Sequence, residues 1–486
     1  VGSGRGGVTN EKGEYFVSSV PGGKYTLRVS LLGYKTLEVK NVSIDADETA
    51  VQDFKLASTL IEKEGITVEG VRPIVDVKKT AGEQTYSREK IDQLPNVKGV
   101  EDVLALQAGV VKFGNQLFLR GGRANETQII IDGVVVNNNS GVSGAAGTSN
   151  ANEQLQQLYS GSGTGGALSV PANAIQSVSV SSSGLDAEFG NAQSGVVNIT
   201  TKSGSESYNG SLQYRTDAIT SNSFEERYYA GTVSGPEPIT QQLLPLLGVQ
   251  VPGKLFFAMS SNFNQLDGAY SYTTTQFYNP LKRKVKFAGF FGMLKGLGFT
   301  YSDRQSNDFS FNTKLSYYVG ESDQFHYTYR ANAGSSHPLF GAYGWRDRYD
   351  SVSSSISLST QNVFQWQHIF GTNSLLKGYV SRLEYSRESN VAGLPPSKYS
   401  SVTSGTRDPN ADGFNDLGSS QGWSRSNTVT WSTKFDFSSK IHEYHFLKAG
   451  FDFYYQHLQS TSISFPLAPE REIDSIPRGD YPGYGL

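Results

Sequence analysis

From residue 205 onward the chain alternates with a period of two, and this rhythm restricts its fold more than any other feature. Within residues 309–319, Phe309, Phe311, Leu315, Tyr317 and Val319 share one parity, while Ser310, Asn312, Lys314 and Ser316 take the other. After a short turn at residues 320–322, Phe325, Tyr327, Tyr329 and Ala331 alternate with Gln324, His326, Thr328 and Arg330. The pattern returns at Val429, Trp431, Phe435 and Phe437 against Thr428, Thr430, Ser432, Lys434 and Asp436, and again through Leu447, Ala449, Phe451, Phe453 and Tyr455. Successive side chains of a strand point to opposite faces, so each run has one apolar and one polar face. A soluble sandwich buries such an apolar face; a membrane barrel turns it to lipid and keeps the polar face towards a wet lumen.

The connections favour the barrel. Candidate strands lie at 206–216, 227–235, 254–266, 307–319, 323–333, 354–370, 375–388, 425–437 and 444–459. The links 320–322, 371–374 and 438–443 are short, and 267–306, 334–353 and 389–424 are long, so short and long alternate as in barrels with tight periplasmic turns and long external loops. Residues 236–253 break the rule: they fall on the short-turn side without being short. About nine strands depart from the even numbers of single-chain bacterial barrels, so the chain is expected to carry only the first part of a barrel. Residue 1 begins inside what reads as a domain, and the N-terminus is expected to be cropped.

Composition excludes several classes. Aromatic residues make up 12% and charged residues 18%, with 53 Gly, a balance that suits β structure. Net charge is −3, with no long basic run, so nucleic acid is not an expected partner. Cysteine is absent, which removes disulfides and thiolate sites. No apolar run reaches the roughly 18 residues of a membrane-spanning helix, as expected of a chain that crosses with strands. No Gly-x-Ser-x-Gly elbow and no His-Glu-x-x-His helix occurs, so no catalytic residue is assigned and no enzyme is expected. His442 and His445, three apart on a strand, point to opposite faces and are not a chelating pair.

Ahead of the alternating region, residues 117–136 read LFLRGGRANETQIIIDGVVV. A strand leads into a tight turn at Gly121-Gly122, and a second strand, with the apolar run Ile129-Ile130-Ile131, closes on Asp132-Gly133. This resembles the plug signature of TonB-dependent outer-membrane receptors, in which an Arg-Gly-Gly turn precedes a strand ending in Asp-Gly. Residues 185–202, LDAEFGNAQSGVVNITTK, resemble the end of the same plug. Between them lies a Gly/Ser/Asn-rich tract. Its GSGTGG at 161–166 lacks the Lys-Ser/Thr of a phosphate loop, and a polar plug loop facing the binding chamber is the better reading. The segment SREKIDQLPNVKGVEDVLALQAGVV carries two short helix candidates.

Residues 1–57 form a strand-rich unit with turns at 10–13, 21–23 and 32–33, similar to the carboxypeptidase-regulatory-like β-sandwich. Between this unit and the plug, the extended run Ile66, Thr67 and Val68 resembles the TonB box, which a periplasmic partner captures; an ordinary interdomain strand is the alternative. An exposed β-type run can add to a sheet edge.

The resemblance thus implies a mainly β chain: a partial β-sandwich (1–57), a linker with the coupling segment (58–74), an α/β plug domain (75–204), and the N-terminal part of a transmembrane antiparallel β-barrel (205–486). It implies a TonB-dependent receptor of the outer membrane of a Gram-negative-type bacterium, with its sandwich in the periplasm. Such a receptor takes up an extracellular ligand with energy from a TonB-type partner. Outer-membrane lipid surrounds it, and a surface lipoprotein is a further candidate partner. A surface ligand-binding or scaffold barrel without active transport is the alternative.

Arg120, Gly121, Gly122, Asp132 and Gly133 are assigned to plug architecture, and the resemblance gives Arg120 the task of joining plug to barrel through carboxylates. One metal candidate stands apart, in the loop DPNADGFND. Asp408, Asn410, Asp412 and Asp416, with Gly413 at the bend, match the start of a calcium loop. Its twelfth position is Ser419 rather than Glu, and a polar turn loop is the competing reading. Tyr343, Trp345 and Tyr349 fit either ring-stacking on a ligand or an interfacial girdle, and no ligand site is assigned to them.

Overall fold

In the computed structural model, the described residues are most of 23–44, then 52–56, 67–69, 83–136, 170–181, 194–217, 226–266, 306–336, 351–391, 423–442 and 445–463, with short breaks and a few isolated positions between them. The N-terminal unit shows β1 (Gly23–Val29) and β2 (Leu37–Ile44) as an antiparallel pair, and β3 (Thr67–Glu69) adds to β2 in parallel.

The α/β unit follows. Its strands are β4 (Glu83–Ser87), β5 (Val110–Phe113), β6 (Gln116–Leu119), β7 (Thr127–Ile131), β8 (Val134–Val135), β9 (Ile175–Ser181) and β10 (Gly195–Thr201), with α1 (Arg88–Gln93) and α2 (Val100–Ala105). Five of them form a mixed sheet in the order β4-β9-β10-β7-β8, while β5 and β6 pair separately. Only the β7–β10 pair in this sheet is parallel, and the intervening chain supplies the long crossover that parallel pairing needs. Val103 and Leu104 of α2 pack with Ile131, Ile175, Val178, Val197 and Ile199 in one apolar core.

Nine strands make the second sheet, hydrogen-bonded strictly in chain order: β11 (Asn209–Thr216), β12 (Arg227–Pro236), β13 (Lys254–Leu266), β14 (Ser306–Val319), β15 (Asp323–Ser336), β16 (Ser353–Phe370), β17 (Ser374–Val391), β18 (Trp423–His442) and β19 (His445–Ile463). All neighbouring pairs are antiparallel. Each strand lies within a few residues of its sequence-based expectation. The later strands run several residues further into the connections, because backbone pairing continues past the point where side-chain alternation fades.

This sheet is inside out. Ser310, Asn312, Lys314, Ser316, His326, Thr328, Arg330, Gln361, Gln365 and Ser381 are buried, whereas Leu315, Tyr327, Phe364, Val380 and Trp431 are exposed. Water-soluble sheets put the apolar parity against a core; here the polar parity faces the protein interior and the apolar parity faces outward, as lipid requires. The α/β unit sits against the polar face. Its Asn173 amide donates to the carbonyls of Gly231 and Ser261 on β12 and β13, each at 3.1 Å.

Candidate functional site: the ionic contact between plug and barrel sheet

Two turns dominate the local geometry of the α/β unit. Gly122 N donates to Leu119 O at 2.8 Å, and the two residues between them, Arg120 (φ 45°) and Gly121 (φ 77°), are both left-handed. Asp132 (φ 49°) and Gly133 (φ 80°) repeat the arrangement between β7 and β8, where Ile131 pairs with Val134. Consecutive left-handed residues are the mark of the type I′ turn, for which Asp-Gly is a favoured dipeptide. The second strand of the signature thus closes on Asp132-Gly133 as expected, and the dipeptide turns the chain back into β8.

The first turn is centred on Arg120-Gly121 rather than on the two glycines. Arg120 is exposed, its N–H donates to Gly109 O at 2.7 Å, and its aliphatic stem lies over Gly109. Among the described residues it makes no ion pair with a barrel carboxylate. The plug–sheet ion pairs that are seen have the opposite polarity: the carboxylate belongs to the plug and the cations to the sheet.

That carboxylate is Asp132. Within the plug it caps the end of β10, accepting hydrogen bonds from Thr201 N at 2.9 Å and from the Thr201 hydroxyl at 2.8 Å. Across the interface it meets the Arg330 guanidinium of β15 and the Lys314 ammonium of β14, the latter at 3.5 Å. Arg330 is further held by Asn312 Oδ1 at 3.1 Å and Gln361 Oε1 at 2.7 Å, from β14 and β16. The side chains of Lys314, Arg330 and Asp132 are 0%, 2% and 1% exposed. Burying these charges is tolerable only because each has partners that replace its water.

Gly133 explains why the turn can approach the sheet. A Cβ at that position would strike the Tyr379 ring of β17, and its left-handed φ also disfavours a side chain. Around it, Val134 packs with Val363 and Tyr379, and Leu383 and Tyr385 of β17 join the plug core. The contact is thus one buried ionic cluster beside a small apolar patch.

The remaining expectations are distributed as follows. Thr67 and Val68 lie in β3, in register with Glu38 and Val39, whereas Ile66 is outside the described residues. In the metal candidate, Asp408 Oδ2 accepts from Gly413 N at 2.8 Å, and Asn410 is exposed. Asp412 and Asp416 lie outside the described residues, as do Tyr343, Trp345, Tyr349 and residues 161–166. The plug–sheet cations were the part that sequence reasoning missed. Their only sequence signal is a Lys and an Arg on the inward parity of adjacent strands.

Comparison with known proteins places these units. Residues 76–197 match the TonB-dependent Receptor Plug Domain, and residues 1–57 match the Carboxypeptidase regulatory-like domain. The TonB-dependent transporter Oar of Myxococcus xanthus is 24% identical over 215 residues, covering 42% of this chain and 18% of that protein. Among solved structures, the FrpB iron transporter of Neisseria meningitidis (F3-3 variant) aligns with a TM-score of 0.48 at 13% identity, covering 78% of this chain and 49% of that one. The alcaligin outer-membrane receptor FauA of Bordetella pertussis aligns with a TM-score of 0.45 at 10% identity, covering 79% and 48%. The chain spans about half the length of these two solved receptors and a smaller share of the curated relative.

Proposed function

We propose that the chain is part of a TonB-dependent outer-membrane transporter, with a carboxypeptidase-regulatory-like domain ahead of its plug, and that the plug is displaced by a pull from a TonB-type periplasmic protein. The buried Asp132–Arg330–Lys314 cluster carries this reading. It fastens plug to barrel through a few charged groups, beside a small apolar patch where Val134 meets Val363 and Tyr379 and where Leu383 and Tyr385 join the plug core. Water entering that contact can replace each lost ionic bond with a hydration bond, so the plug can move without exposing a broad apolar interlock.

The pull enters through residues 66–68. In the resting arrangement Thr67 and Val68 already use strand addition, on the edge of β2. Capture by the periplasmic partner uses the same backbone groups, so the segment exchanges one sheet edge for another. The ligand enters from the opposite end, where the long connections between β13 and β14 and between β17 and β18 lie, and a surface lipoprotein would meet the receptor on that side.

Deletion of residues 62–70 in the receptor tests the reading. Uptake is expected to fall to the level of an energy-coupling knockout while ligand still binds to cells. Undiminished uptake would remove the coupling role from this segment. Ligand binding with no energy-dependent uptake in the unaltered receptor would instead favour a surface-binding barrel.

A further inference from the structure

The connection between β12 and β13 sits at the same end of the sheet as the tight turns 320–322 and 371–373, yet it forms a helical segment. Ile239–Leu243 is a π-helix that continues as an α-helix over Leu244–Leu246. Glu237 begins it, accepting from Ile239 N at 3.0 Å, Thr240 N at 2.6 Å and the Thr240 hydroxyl at 2.7 Å. Residues 238–253 contain no charged side chain. Nevertheless Leu246 is 82% and Leu247 70% exposed, and Ile239, Leu243 and Val249 are exposed with them. A contiguous apolar patch of this kind on a water-facing rim marks a surface that meets something apolar.

Its fastenings show on which side of the sheet it lies. Gln242 donates to the Tyr208 hydroxyl at 3.0 Å. The Tyr208 ring packs on Phe257, with centroids 6.4 Å apart, and against Gly235. Phe257 and Gly235 alternate with the buried Phe256, Ala258 and Ala230, so both belong to the outward parity. At the other end, the Tyr317 hydroxyl, also on the outward parity, donates to Pro252 O at 2.6 Å. Tyr317 continues to Phe325 at 6.4 Å and Phe325 to Phe364 at 6.3 Å. These rings form a row across the outward face near the tight-turn end, the level at which aromatic girdles mark a membrane interface. Below the segment, Lys254 and Glu206 close an ion pair at 2.6 Å.

We infer that residues 238–249 are an interfacial foot: the segment lies against the outer wall of the barrel and sinks Leu243, Leu246, Leu247 and Val249 into the periplasmic leaflet of the outer membrane. The occupant is phospholipid rather than a protein partner, because the patch is continuous with the lipid-facing aromatic girdle through Tyr208, Phe257 and Tyr317. The foot fixes the barrel's depth beside the site where the plug chain passes into β11. This inference rests on the sheet being a membrane barrel.

These 486 residues contain no cysteine, so a label can be placed at one chosen position among them. Single variants Leu246→Cys, Val380→Cys and Ser322→Cys are spin-labelled in the receptor, which is then reconstituted in phosphatidylethanolamine/phosphatidylglycerol vesicles. Val380 is the lipid reference and Ser322 the aqueous reference. At Leu246 the oxygen-to-nickel-chelate accessibility ratio is expected to lie near that of Val380 and several-fold above that of Ser322. A ratio matching Ser322 would overturn the foot, and shielding from both quenchers would reassign the patch to a protein contact. Failure of Val380 itself to read as lipid-exposed would instead strike at the barrel reading.

Discussion

At the scale of single residues, Asp132 joins two jobs that the sequence presents as one motif. It forms the left-handed turn, and it neutralises two buried cations on the sheet. Asp132→Asn separates these jobs, because Asn accepts left-handed φ nearly as well. It leaves Arg330 and Lys314 buried without their counter-charge, a class of change that costs about 3–5 kcal/mol. The urea concentration that releases the plug is expected to fall accordingly, read by limited proteolysis of the plug in detergent-solubilised receptor; an unchanged midpoint would mean the cluster does not hold the plug. Lys202, at the junction of plug and barrel, is a second residue with a measurable signature. Burial, reinforced by the Arg88 charge and partly opposed by Asp92, brings its ammonium down from 10.5 to about 8. A lysine with a lowered folded pKa loses its proton early, so between about 8 and 10.5 the unfolded chain binds more protons and stability rises with pH. Pulse acetylation followed by mass spectrometry should show Lys202 turning reactive near pH 8, provided reagent access is matched against the denatured chain.

Among the secondary-structure elements, the proposed coupling role falls on a single short strand. β3 is three residues long and parallel to β2, and a pairing so short is readily exchanged. Val39 and Val68 are in register, and paired strands bring Cα atoms within the range a disulfide spans. Val39→Cys with Val68→Cys should therefore form a disulfide under oxidising conditions that holds the coupling segment on the sandwich. Uptake is expected to fall sharply and to recover on reduction, with each single variant active throughout. Uptake unaffected by a verified crosslink would show that β3 need not leave β2. The helical connection after β12 is an element of a different kind, long where its counterparts are tight and apolar where they are polar.

For the molecule as a whole, the two sheets should differ in how they yield. Each inner strand of the nine-stranded sheet is paired on both sides, with one register shift between Lys440 and His442 at the end of β18, whereas the plug is held to it by the ionic cluster, a few side-chain-to-carbonyl bonds and the patch around Tyr379 and Leu383. Amide hydrogen exchange in rising urea should expose β7, β9 and β10 while β14 to β17 stay protected. Simultaneous loss of protection would mean that the plug and barrel unfold as one cooperative unit.

Much of this architecture was legible because it depends on local periodicity. The parity of Phe309 to Val319 and its successors specifies strands, one apolar face, and turns of alternating length, and the nine strands lie where that parity places them. The apolar spacing at Val100, Val103 and Leu104 likewise marks α2. Asp132 and Gly133 could be singled out as plug architecture only through the resemblance of their segment to a plug signature. What lies on the far side of their turn could not be read. Lys314 and Arg330 are 182 and 198 residues from Asp132, and on their strands they look like two more polar residues facing a wet lumen. Arg120, beside its glycines, looked like the natural bridge, yet the turn leaves it on the surface with its stem over Gly109. The chain's own order thus determined which faces are polar and which apolar, because alternation is a property of a strand and its immediate neighbours. Only the tertiary structure decided which polar groups meet, because a buried ion pair requires two distant segments to arrive at the same few cubic ångströms and exclude the water between them.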